Sequence, residues 1–482
     1  MFEIRPIIYF LGILLISLGI IMLIPLLVNI ISLSGNWDNF FNSSLISVFL
    51  GISLIIVTRG TKKNLNVKQT FILTSLSWLT TAIISALPFY MGELNLSYAD
   101  SFFESMSGIT TTGSTTINGL DECSPGILIW RAMLQWLGGI GFVVLAIAVL
   151  PGLRVGGNQL FQTEFSDSSS KARLRLTSLA TWIGAIYIFF SLVCAGSYWI
   201  AGMKGFDAIV HSMTTIATGG FSTSDSSIGI FANAYIEIIA IIFMVVGSLP
   251  FFIYVMAARG QITRLFTDTQ IHWFFYALLG AIIAVTFWQT QHNNIDFITA
   301  IREASFNVTS VITGTGYSTT NYWEWGGFPG ILFLFLMFIG GCAGSTSCSI
   351  KLFRYQILYA TMRAQLASLI RPHHIYVPKY NGEPITNNIS DTVFAFFFLF
   401  LLTYALLAFS LSLLGLDFVT SISSAATAIT NVGPGLGNIV GPAGNFSSLP
   451  DSAKWLLSFG MLFGRLEIFV ILVLFTKSFW KN

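Results

Sequence analysis

The string DSFFESMSGITTTGSTT at residues 100–116 is matched by DAIVHSMTTIATGGFST at residues 207–223. In both strings an Asp stands thirteen residues before a glycine (113 − 100 = 13 and 220 − 207 = 13), and a Ser-Met pair stands eight and seven residues before it. Related strings follow at FNVTSVITGTGYST (residues 306–319) and AATAITNVGPG (residues 425–435). A register kept this closely predicts several copies of one structural unit.

One glycine anchors each copy, namely Gly113, Gly220, Gly316 and Gly433. These glycines are separated by 107, 96 and 117 residues (220 − 113, 316 − 220 and 433 − 316). Each one lies in a loop between two long apolar stretches. The pattern therefore predicts four units, each made of a span, a loop and a second span.

The composition excludes a soluble protein. Of the 482 residues, 54% are hydrophobic and only 9% are charged, against about a quarter charged in ordinary soluble domains. The formal net charge of +2 offers no bulk basicity for a nucleic-acid partner. The cysteines lack the spacing of metal ligands or extracellular disulfides, and we interpret all four as inert small hydrophobic residues: Cys123, Cys194, Cys342 and Cys348.

Ten stretches are candidates for crossing a membrane, which takes about 20 apolar residues. Five carry no charge, at residues 7–33, 70–91, 176–203, 271–294 and 392–416. Four contain one or two charges or a glycine-rich interruption, at residues 126–150, 226–258, 328–350 and 455–476. A shorter one lies at residues 44–57. The predicted fold class is an all-α polytopic membrane protein.

Basic residues orient these spans, because Lys and Arg accumulate in cytoplasmic loops. Eighteen of the 23 fall on one side: Arg5, Arg59, Lys62, Lys63, Lys68, Arg154, Lys171, Arg173, Arg175, Arg259, Arg264, Lys351, Arg354, Arg363, Arg371, Lys379, Lys477 and Lys481. Both termini are therefore predicted to be cytoplasmic.

The opposite side is acidic, and it carries Asp38, Glu93, Asp100, Glu104, Asp121, Glu122, Asp207, Asp225, Asp296, Glu303, Glu324, Asp417 and Asp451. An acidic outer mouth attracts cations. Each of these acids, taken alone, fits a solvated loop equally well.

Each loop begins near an acid and ends in Thr and Gly. Asp100, Asp207 and Asp417 fit helix N-caps, and Asp296 or Glu303 fits that position in the third loop. A short helix that enters the membrane and returns would aim its negative C-terminal end, and then free carbonyl groups, at a common centre. Such a centre suits a cation, and glycine allows the backbone conformations that it requires.

The predicted site is therefore a cation selectivity filter made of four segments, which we call filter strings 1 to 4. They are Thr111, Thr112 and Gly113; Thr218, Gly219 and Gly220; Gly314, Thr315 and Gly316; and Asn431, Val432 and Gly433. The competing interpretation is that Thr and Gly are simply common in tight loops. Four occurrences in equivalent positions favour the filter.

Four strings resemble those of the Trk/Ktr/HKT superfamily of potassium transporters, and within it the TrkH-type membrane subunits of bacterial Trk uptake systems. They are ATGGFST (residues 217–223), ITGTGYST (312–319), TNVGPGLG (430–437) and GGCAGSTSCSIK (340–351). The resemblance runs over essentially the whole chain. It implies four M1-P-M2 units (helix, re-entrant P loop, helix) around a pseudo-fourfold pore, after an N-terminal two-helix unit.

This resemblance divides the chain into an N-terminal unit at residues 1–65 and pore repeats 1 to 4 at residues 66–158, 159–265, 266–370 and 371–482. All four anchor glycines are present, whereas a serine at the first position goes with sodium preference in some plant relatives, so potassium is the favoured ion. Ser114 and Pro434 replace the aromatic residue that follows the glycine in units two and three. The fourfold symmetry is therefore expected to be approximate.

The second span of unit three carries a candidate gate. Its helix-compatible sequence from residue 328 to about 366 is, at about 1.5 Å per residue, far longer than a bilayer of about 30 Å. A bend or break is expected where small residues replace the apolar run, at Gly340, Gly341, Gly344, Ser345 and Thr346. These residues fit a close-packed helix seam and a loop equally. The resemblance favours the loop, because TrkH-type proteins carry an intramembrane loop here that restricts ion passage.

Arg465 is the second gate candidate, because it is a lone cation in the last span with only Glu467 near it in sequence. A charge inside a span is costly and usually faces the bundle interior or a water path. Helix carbonyls or an acid such as Glu237 could also satisfy it. The resemblance implies a pore position, since an arginine in this span of the family acts as a charge barrier beside the loop.

Other chemistry is set aside. The chain has no G-x-x-x-x-G-K-[ST] string, so we expect neither nucleotide binding nor an enzymatic activity. The five histidines, His211, His373 and His374 among them, form no ligand set, and potassium at the filter is the only metal expected. The resemblance implies a homodimer and a cytosolic partner of TrkA type with nucleotide-binding RCK domains.

The predicted function is potassium uptake across the bacterial inner membrane through a channel-like pore, driven by the membrane potential. Two alternatives stay open. A sodium- or proton-coupled symporter needs an acid beside the pore, and Glu237 and Glu467 are the span carboxylates available. A potassium-binding subunit of an ATP-driven pump needs a separate ATPase partner.

Overall fold

The structure is a computed structural model that describes residues 3–60, 65–145, 170–373 and 376–480, without the side chains of residues 170–177. The predicted boundary between residues 158 and 159 lies outside these ranges. Several residues named above lie outside them or have undescribed side chains: Lys62, Lys63, Arg154, Lys171, Arg173, Arg175, His374 and Lys481.

The chain begins with a helical pair. Helix α1 (Arg5–Ile21) continues into α2 (Leu23–Ile31), and α3 (Asp38–Val57) returns alongside α1. Gly12 and Gly51 face each other, and a Cβ on either would come within 2.9 Å of the other's carbonyl oxygen. Glycine at both positions therefore allows the two backbones to approach closely.

Helix α3 is longer than the stretch predicted at residues 44–57. It starts at Asp38, six residues earlier (44 − 38 = 6), and its 20 residues are enough to cross a membrane. The extra turns carry polar side chains whose hydrogen bonds are made inside the protein. Asn39 Nδ2 donates to Pro88 O at 3.3 Å, and Ser43 Oγ donates to Asn39 O at 2.7 Å. Apolar content alone therefore understates this helix.

The first two repeats follow. Repeat 1 contains α4 (Val67–Ser85), α5 (Leu87–Tyr90), α6 (Tyr98–Ile109), a 3-10 turn (Leu120–Glu122) and α7 (Pro125–Val144). Repeat 2 contains α8 (Ser170–Ile200), α9 (Gly205–Ile216), a 3-10 turn (Ser227–Phe231), α10 (Ala234–Ser248) and α11 (Phe251–Ala258), and the short α12 (Arg264–Thr267) leads out of it.

The last two repeats have the same order. Repeat 3 contains α13 (Thr269–His292), α14 (Phe297–Ile312), a 3-10 turn (Tyr322–Trp325), α15 (Gly327–Phe338) and α16 (Leu352–Ile370). A two-residue hairpin of β1 (Lys379–Tyr380) and β2 (Glu383–Pro384) connects it to repeat 4. Repeat 4 contains α17 (Asn387–Leu413), α18 (Phe418–Thr430), α19 (Gly437–Val440), α20 (Asp451–Arg465), α21 (Phe469–Leu472), a 3-10 turn (Val473–Phe475) and α22 (Lys477–Trp480).

One short helix of each repeat is central, and we call α6, α9, α14 and α18 the P helices. Each contacts the long helix before it and the helix after it in its own repeat. In α6 every residue from Ser101 to Ile109 is buried, and in α18 every residue from Ser423 to Thr430 is buried. This order fits the predicted helix, P loop, helix unit.

The acids at the P helices play two different roles. Asp296 and Asp417 are N-caps, and the backbone N–H of Thr299 and of Thr420 donates to them at 3.0 and 3.1 Å. The pKa of Asp417 is lowered by hydrogen bonds from the hydroxyl and then the backbone N–H of Thr420, and the pKa of Asp296 by those from the backbone N–H and then the hydroxyl of Thr299.

The N-cap prediction is wrong for Asp100 and Asp207, which lie inside the first helical turn. The N-cap positions are occupied by Ser97 and Lys204. Ser97 has the hydroxyl acceptor that favours an N-cap, and it receives the N–H of Asp100 at 3.1 Å. Asp207 instead accepts from Thr223 Oγ1 at 2.9 Å.

The described residues divide the ten predicted spans into three kinds. Seven are single candidates by length and apolar content: Arg5–Ile31, Asp38–Val57, Val67–Tyr90, Pro125–Val144, Ser178–Ile200, Thr269–His292 and Asn387–Leu413. Two are bent pairs, α10 with α11 at 91° and α20 with the segment Phe469–Phe475 at 104°. The tenth is helical only in α15, whose 12 residues reach about 18 Å, so the predicted break in unit three is confirmed.

The two bends have local causes. Pro250 stands at the first, where it has no N–H to continue the helix. Glu467 has a positive φ of 54° at the second, which an α-helix does not accommodate. The second helices of repeats 2, 3 and 4 are thus all interrupted, and the interruptions lie around one site.

Candidate ion pathway

The four filter strings share one backbone signature. The residue two before each anchor glycine is left-handed, with φ of 54° at Thr111, 50° at Thr218, 77° at Gly314 and 53° at Asn431. Three of these residues have a Cβ, for which this conformation is uncommon. A deviation repeated at one position of four separate segments indicates a shared architecture.

The anchor glycines share that signature in three repeats of four. Gly113, Gly220 and Gly316 have φ of 87°, 79° and 84°. Gly433 has no such φ, and in repeat 4 it is Gly437 that has φ of 90°. The approximate fourfold symmetry expected from Ser114 and Pro434 is therefore visible in the backbone of string 4.

The anchor glycines meet in a closed ring. A Cβ on Gly113 would lie 2.2 Å from the Gly219 carbonyl oxygen of string 2, and a Cβ on Gly220 would lie 2.0 Å from Thr315 O of string 3. A Cβ on Gly316 would lie 2.9 Å from Gly433 N, and one on Gly433 would lie 3.1 Å from Gly113 O. Each string thus abuts the next, and string 4 returns to string 1.

One cavity lies on one face of this ring, and we call it the vestibule. Its volume is about 240 Å³, and all four anchor glycines line it together with Ser114, Phe221, Ser318 and Pro434. Asp225 is at its wall, where it accepts the backbone N–H of Gly119 at 2.8 Å and of Leu120 at 3.2 Å. The vestibule therefore joins the four strings to one open space bearing a carboxylate.

String 4 has contacts that the other strings lack. Ser114, which stands where two other repeats have an aromatic residue, donates its hydroxyl to Gly433 O at 2.8 Å. Asn431 Nδ2 donates to Thr112 Oγ1 at 3.0 Å and to Met461 O at 2.9 Å. String 4 is thus bonded by side chains to string 1, across the junction that closes the ring.

Two polar groups behind strings 1 and 2 were not predicted as functional. Arg131 Nε forms a fully buried ion pair with Glu104 at 2.7 Å, and Arg131 Nη1 donates to Ser222 O at 2.8 Å. Gln135 Nε2 donates to Gly219 O at 2.6 Å, while Gln135 Oε1 accepts the N–H of Phe221 at 3.0 Å. The placement of Glu104 as an exposed outer acid is therefore wrong.

The sequence does contain a signal for the two residues that hold strings 1 and 2 from behind. Arg131 and Gln135 are four residues apart inside an apolar stretch, so they share one face of a helix. Polar groups in a span usually face the bundle interior. The identity of their partners could not be predicted, because Glu104 and Gly219 belong to other elements.

The opposite face of the ring is covered by residues 339–351 between α15 and α16, which we call the crossing loop. Its two ends run side by side, with Gly340 N donating to Ile350 O at 3.0 Å and Leu352 N donating to Gly341 O at 3.3 Å. Gly341 N also donates to Ser347 Oγ at 2.9 Å. The loop is therefore a folded unit with its own internal hydrogen bonds.

The crossing loop reaches all four strings or the P-helix ends before them. Cys348 Sγ lies 3.4 Å from Thr111 Oγ1 of string 1, and Thr346 Oγ1 lies 3.2 Å from Thr218 Oγ1 of string 2. Ser349 Oγ donates to Thr430 O, just before string 4, at 3.0 Å. Gly314 of string 3 is also near the loop, because a Cβ placed on it would lie 3.6 Å from Cys348 N. One segment thus spans the whole ring.

Repeat 2 holds the crossing loop at its bend. Cys342 N donates to Ser248 O at 3.0 Å, and Thr346 N donates to Gly247 O at 3.1 Å. In return Phe251 N donates to Gly344 O at 3.0 Å. The break between α10 and α11 thus exposes the backbone groups to which the loop binds.

Arg465 holds the crossing loop from repeat 4. Its Nη1 donates to Thr346 O at 3.3 Å and its Nη2 donates to Gly138 O of α7 at 3.1 Å, while the guanidinium lies 4.3 Å from the centre of the Phe142 ring. Two backbone carbonyls therefore accept hydrogen bonds from its terminal nitrogens, while its Nε has no hydrogen-bond partner among the described residues. Glu237 is not its partner, because Glu237 pairs with Arg302 at 2.6 Å.

The interpretation of Cys348 as an inert hydrophobic residue is wrong, because its Sγ contacts the guanidinium of Arg465. Two further cations lie close by. Lys351 Nζ contacts Ser347 O and lies 3.3 Å from Ser345 Oγ.

Arg354 is the second of these cations, and it pairs with Glu467 at 2.7 Å. A gap of about 10 Å³ separates these groups, and we call its surroundings the basic cluster: Lys351, Arg354, Arg465 and Glu467.

These elements define a multi-pass helical membrane protein whose four P helices bring their C-terminal strings into one ring, with a loop across one face. The chain matches the family model described as TrkH, cation transport protein, over residues 36–481. It therefore belongs to the TrkH family of cation transport proteins, which are not enzymes.

Individual relatives agree over the full length. The chain is 45% identical to the Trk system potassium uptake protein TrkI of Halomonas elongata, over 99% of this chain and 97% of the relative. It is 36% identical to the Trk system potassium uptake protein TrkH of Escherichia coli K12, over 99% of both. The crystal structure of the potassium transporter TrkH from Vibrio parahaemolyticus superposes with a TM-score of 0.92 at 33% identity and covers 100% of both chains.

Proposed function

We propose that this chain is the membrane subunit of a bacterial potassium uptake system, and that potassium passes through the ring of filter strings. The ring itself carries the proposal: four glycine-bearing segments from four repeats abut one another around a common space. Backbone carbonyls in such a ring can replace the hydration shell of the ion. The names of the relatives, potassium uptake proteins, support potassium as that ion.

The charge distribution supports an orientation in the inner membrane. Basic residues favour the cytoplasmic side, and exposed Arg363 on α16 and Lys379 on the hairpin lie beyond the crossing loop in the chain. The proposal places the vestibule outside and both termini inside. Inward flux of a cation then follows the membrane potential, which is worth about 2.3 kcal/mol per charge per 100 mV.

The crossing loop and Arg465 serve as the gate in this proposal. The loop covers the ring and is rich in glycine and hydroxyl residues, including Gly340, Gly341, Gly344 and Ser345. A cation leaving the ring would meet the basic cluster at once. Passage therefore requires the loop and Arg465 to move apart, which breaks the hydrogen bonds from Arg465 and from Thr346.

The carboxylates support a channel-like mechanism over coupled symport. A coupling acid must release and bind protons or sodium during the cycle. Glu237 and Glu467, the two candidates, are each paired with an arginine at 2.6 and 2.7 Å, and Glu104 is paired with Arg131. Each of these acids is thus already neutralised by a fixed cation.

Partners are part of the proposal. A second copy of the chain and a cytosolic TrkA-type subunit that binds nucleotide through RCK domains would complete the system, since the relatives are named as members of a Trk system. Potassium is the transported ion, and we assign no nucleotide to this chain. An ATP-driven pump subunit would instead need an ATPase partner.

Uptake of rubidium-86 into proteoliposomes with an imposed potential tests the function. The chain alone should take up rubidium without sodium, in competition with potassium, and Gly220→Ala should reduce the rate by about 100-fold because its Cβ would collide with Thr315 O. Gly280→Ala is the matched control, since nothing lies within 4 Å of a Cβ there on α13.

Three results would change the proposal. Uptake that requires a sodium or proton gradient would refute the channel-like mechanism. Equal uptake by the Gly220 and Gly280 variants would refute the ring as the ion path. Uptake that begins only when the soluble subunit is added would place the gate under the control of that subunit.

A further inference from the structure

One position recurs on every P helix, nine residues before the anchor glycine. The residues there are Glu104 (113 − 9), His211 (220 − 9), Asn307 (316 − 9) and Ser424 (433 − 9). All four side chains are fully buried. Four different polar residues are thus buried at one equivalent position, which indicates that they share a structural role.

In repeat 1 this residue binds the segment that leaves the filter. Glu104 accepts the backbone N–H of Thr116 at 2.9 Å and the hydroxyl of Thr115 at 3.0 Å. Arg131 supplies the compensating charge. The carboxylate thus connects its P helix to the chain two and three residues after Gly113.

In repeat 2 an imidazole has the same role. His211 Nδ1 lies 2.8 Å from the carbonyl oxygen of Asp207, and Nε2 lies 3.0 Å from Ser222 Oγ. A carbonyl oxygen can only accept, so Nδ1 is the donor, and Nε2 is left for the hydroxyl of Ser222. Ser222 is the second residue after Gly220.

In repeat 3 an amide has this role. Asn307 Nδ2 donates to Thr319 Oγ1 at 3.0 Å, and Asn307 Oδ1 accepts the N–H of Thr319 at 3.3 Å. Thr319 is the third residue after Gly316. Both ends of the amide are therefore used to hold the departing segment.

Repeat 4 lacks this contact. Ser424 Oγ has no hydrogen-bond partner among the described residues. The neighbouring Ser423 reaches Leu436 O at 3.1 Å instead, and string 4 is otherwise bonded to string 1 through Ser114. String 4 is the one whose anchor glycine also departs from the shared backbone.

We propose that the residue nine positions before the anchor glycine is a positioning residue for ion selectivity in strings 1 to 3, while string 4 is held instead by Ser114, Asn431 and Ser423. These ties act through the backbone and touch no ion. Since they fix where the carbonyls of three strings stand, they set how well the ring distinguishes a larger cation from sodium. This inference rests on the proposed function.

The experiment compares initial uptake of rubidium-86 and sodium-22 into the same preparation of proteoliposomes. Asn307→Ala and His211→Ala should each lower the rubidium to sodium ratio about fivefold, because a released segment lets the ring contract around the smaller ion. His211→Asn, which installs the residue that repeat 3 uses, should restore at least half of the wild-type ratio. Ser424→Ala is the matched control and should leave the ratio unchanged.

Hydrogen exchange of residues 316–322 by mass spectrometry provides a readout that needs no transport. Asn307→Ala should accelerate exchange there, and Ser424→Ala should not. An unchanged ion ratio in a folded Asn307→Ala protein, or an equal loss in Ser424→Ala, would overturn the positioning role. Wild-type vesicles that take up no rubidium, either alone or after addition of the soluble subunit, would refute the proposed function. Unchanged exchange at residues 316–322 in Asn307→Ala would separately refute the tie.

Discussion

The two faces of the ring differ in space and in charge. The vestibule face opens into about 240 Å³ and carries the carboxylate of Asp225. The opposite face leaves a gap of about 10 Å³, room for about one water molecule, among three cations and one acid. In the proposed function, ions reach the ring from the vestibule and are stopped at the crossing loop, so selection and gating belong to different parts of the chain.

The largest effect is expected where the basic cluster loses its acid. Glu467→Leu leaves Arg354 buried without its carboxylate, which costs about 3–5 kcal/mol of stability for a buried pair. The thermal unfolding midpoint of the purified protein, followed by tryptophan fluorescence, should fall by several degrees. Glu122→Leu on the exposed turn after string 1 is the control and should shift it little. Equal midpoints for the two variants would show that the closed face does not depend on this pair.

The next effect is expected at the guanidinium that holds the crossing loop. Arg465→Gln removes a unit charge from the path and keeps one donor for Thr346 O, so rubidium uptake by the chain alone should rise about tenfold, equivalent to about 1.4 kcal/mol of barrier. Arg363→Gln removes the same charge from an exposed position on α16 and should leave uptake unchanged. Reduced uptake in Arg465→Gln would mean that the cation supports the pathway instead of blocking it.

A smaller effect is expected from loosening the crossing loop without changing its charge. Thr346→Val deletes the hydroxyl that donates to Gly247 O at 2.9 Å and to Ile216 O at 3.0 Å. The hydroxyl has one proton, so the net loss is that of one hydrogen bond, about 0.5–1.5 kcal/mol, and rubidium uptake should rise about threefold. Thr290→Val on the exposed surface of α13 is the matched control. Identical rates in both variants would argue against the loop as the moving part.

The smallest effect is expected on the open face. Asp225→Asn retains a carbonyl acceptor for the N–H of Gly119 and removes the charge. Rubidium uptake by cells that lack other potassium transporters should fall about twofold at low ionic strength, and the difference should vanish near 1 M salt because exposed charges are then screened. Asp391→Asn, on the side predicted to be cytoplasmic, is the control. A deficit that persists at high salt would show a structural role for Asp225.

The features that could be read from the sequence are those that repeat or interrupt a pattern. The register of the anchor glycines predicted the strings that the structure brings together, and the small residues at Gly340 and Gly341 predicted the break in unit three. Both signals are local, since a strained backbone or a broken helix needs particular residues at particular places. The assignment of these residues to a filter and a gate stays a prediction, as do the repeat boundaries.

The features that escaped prediction depend on contacts between distant segments. Glu104 and Arg131 are unremarkable one at a time, and only the packing of α6 on α7 makes them a buried pair. Cys348 has apolar neighbours in sequence but lies against Arg465, 117 residues away. Asp100 was misplaced because an acid in the first turn of a helix and an N-cap differ by only a few residues.

The closure of the ring has a consequence for biosynthesis. Gly433 abuts Gly113 across 320 residues (433 − 113), and Arg465 of repeat 4 is what bonds the crossing loop to α7. A ribosome delivers repeat 4 last. A nascent chain with only three repeats inserted therefore lacks string 4 of the ring, and its crossing loop lacks the contacts that Arg465 supplies. If the ring is the ion path proposed above, the path and its closure are completed in the same final assembly step, when repeat 4 joins the other three.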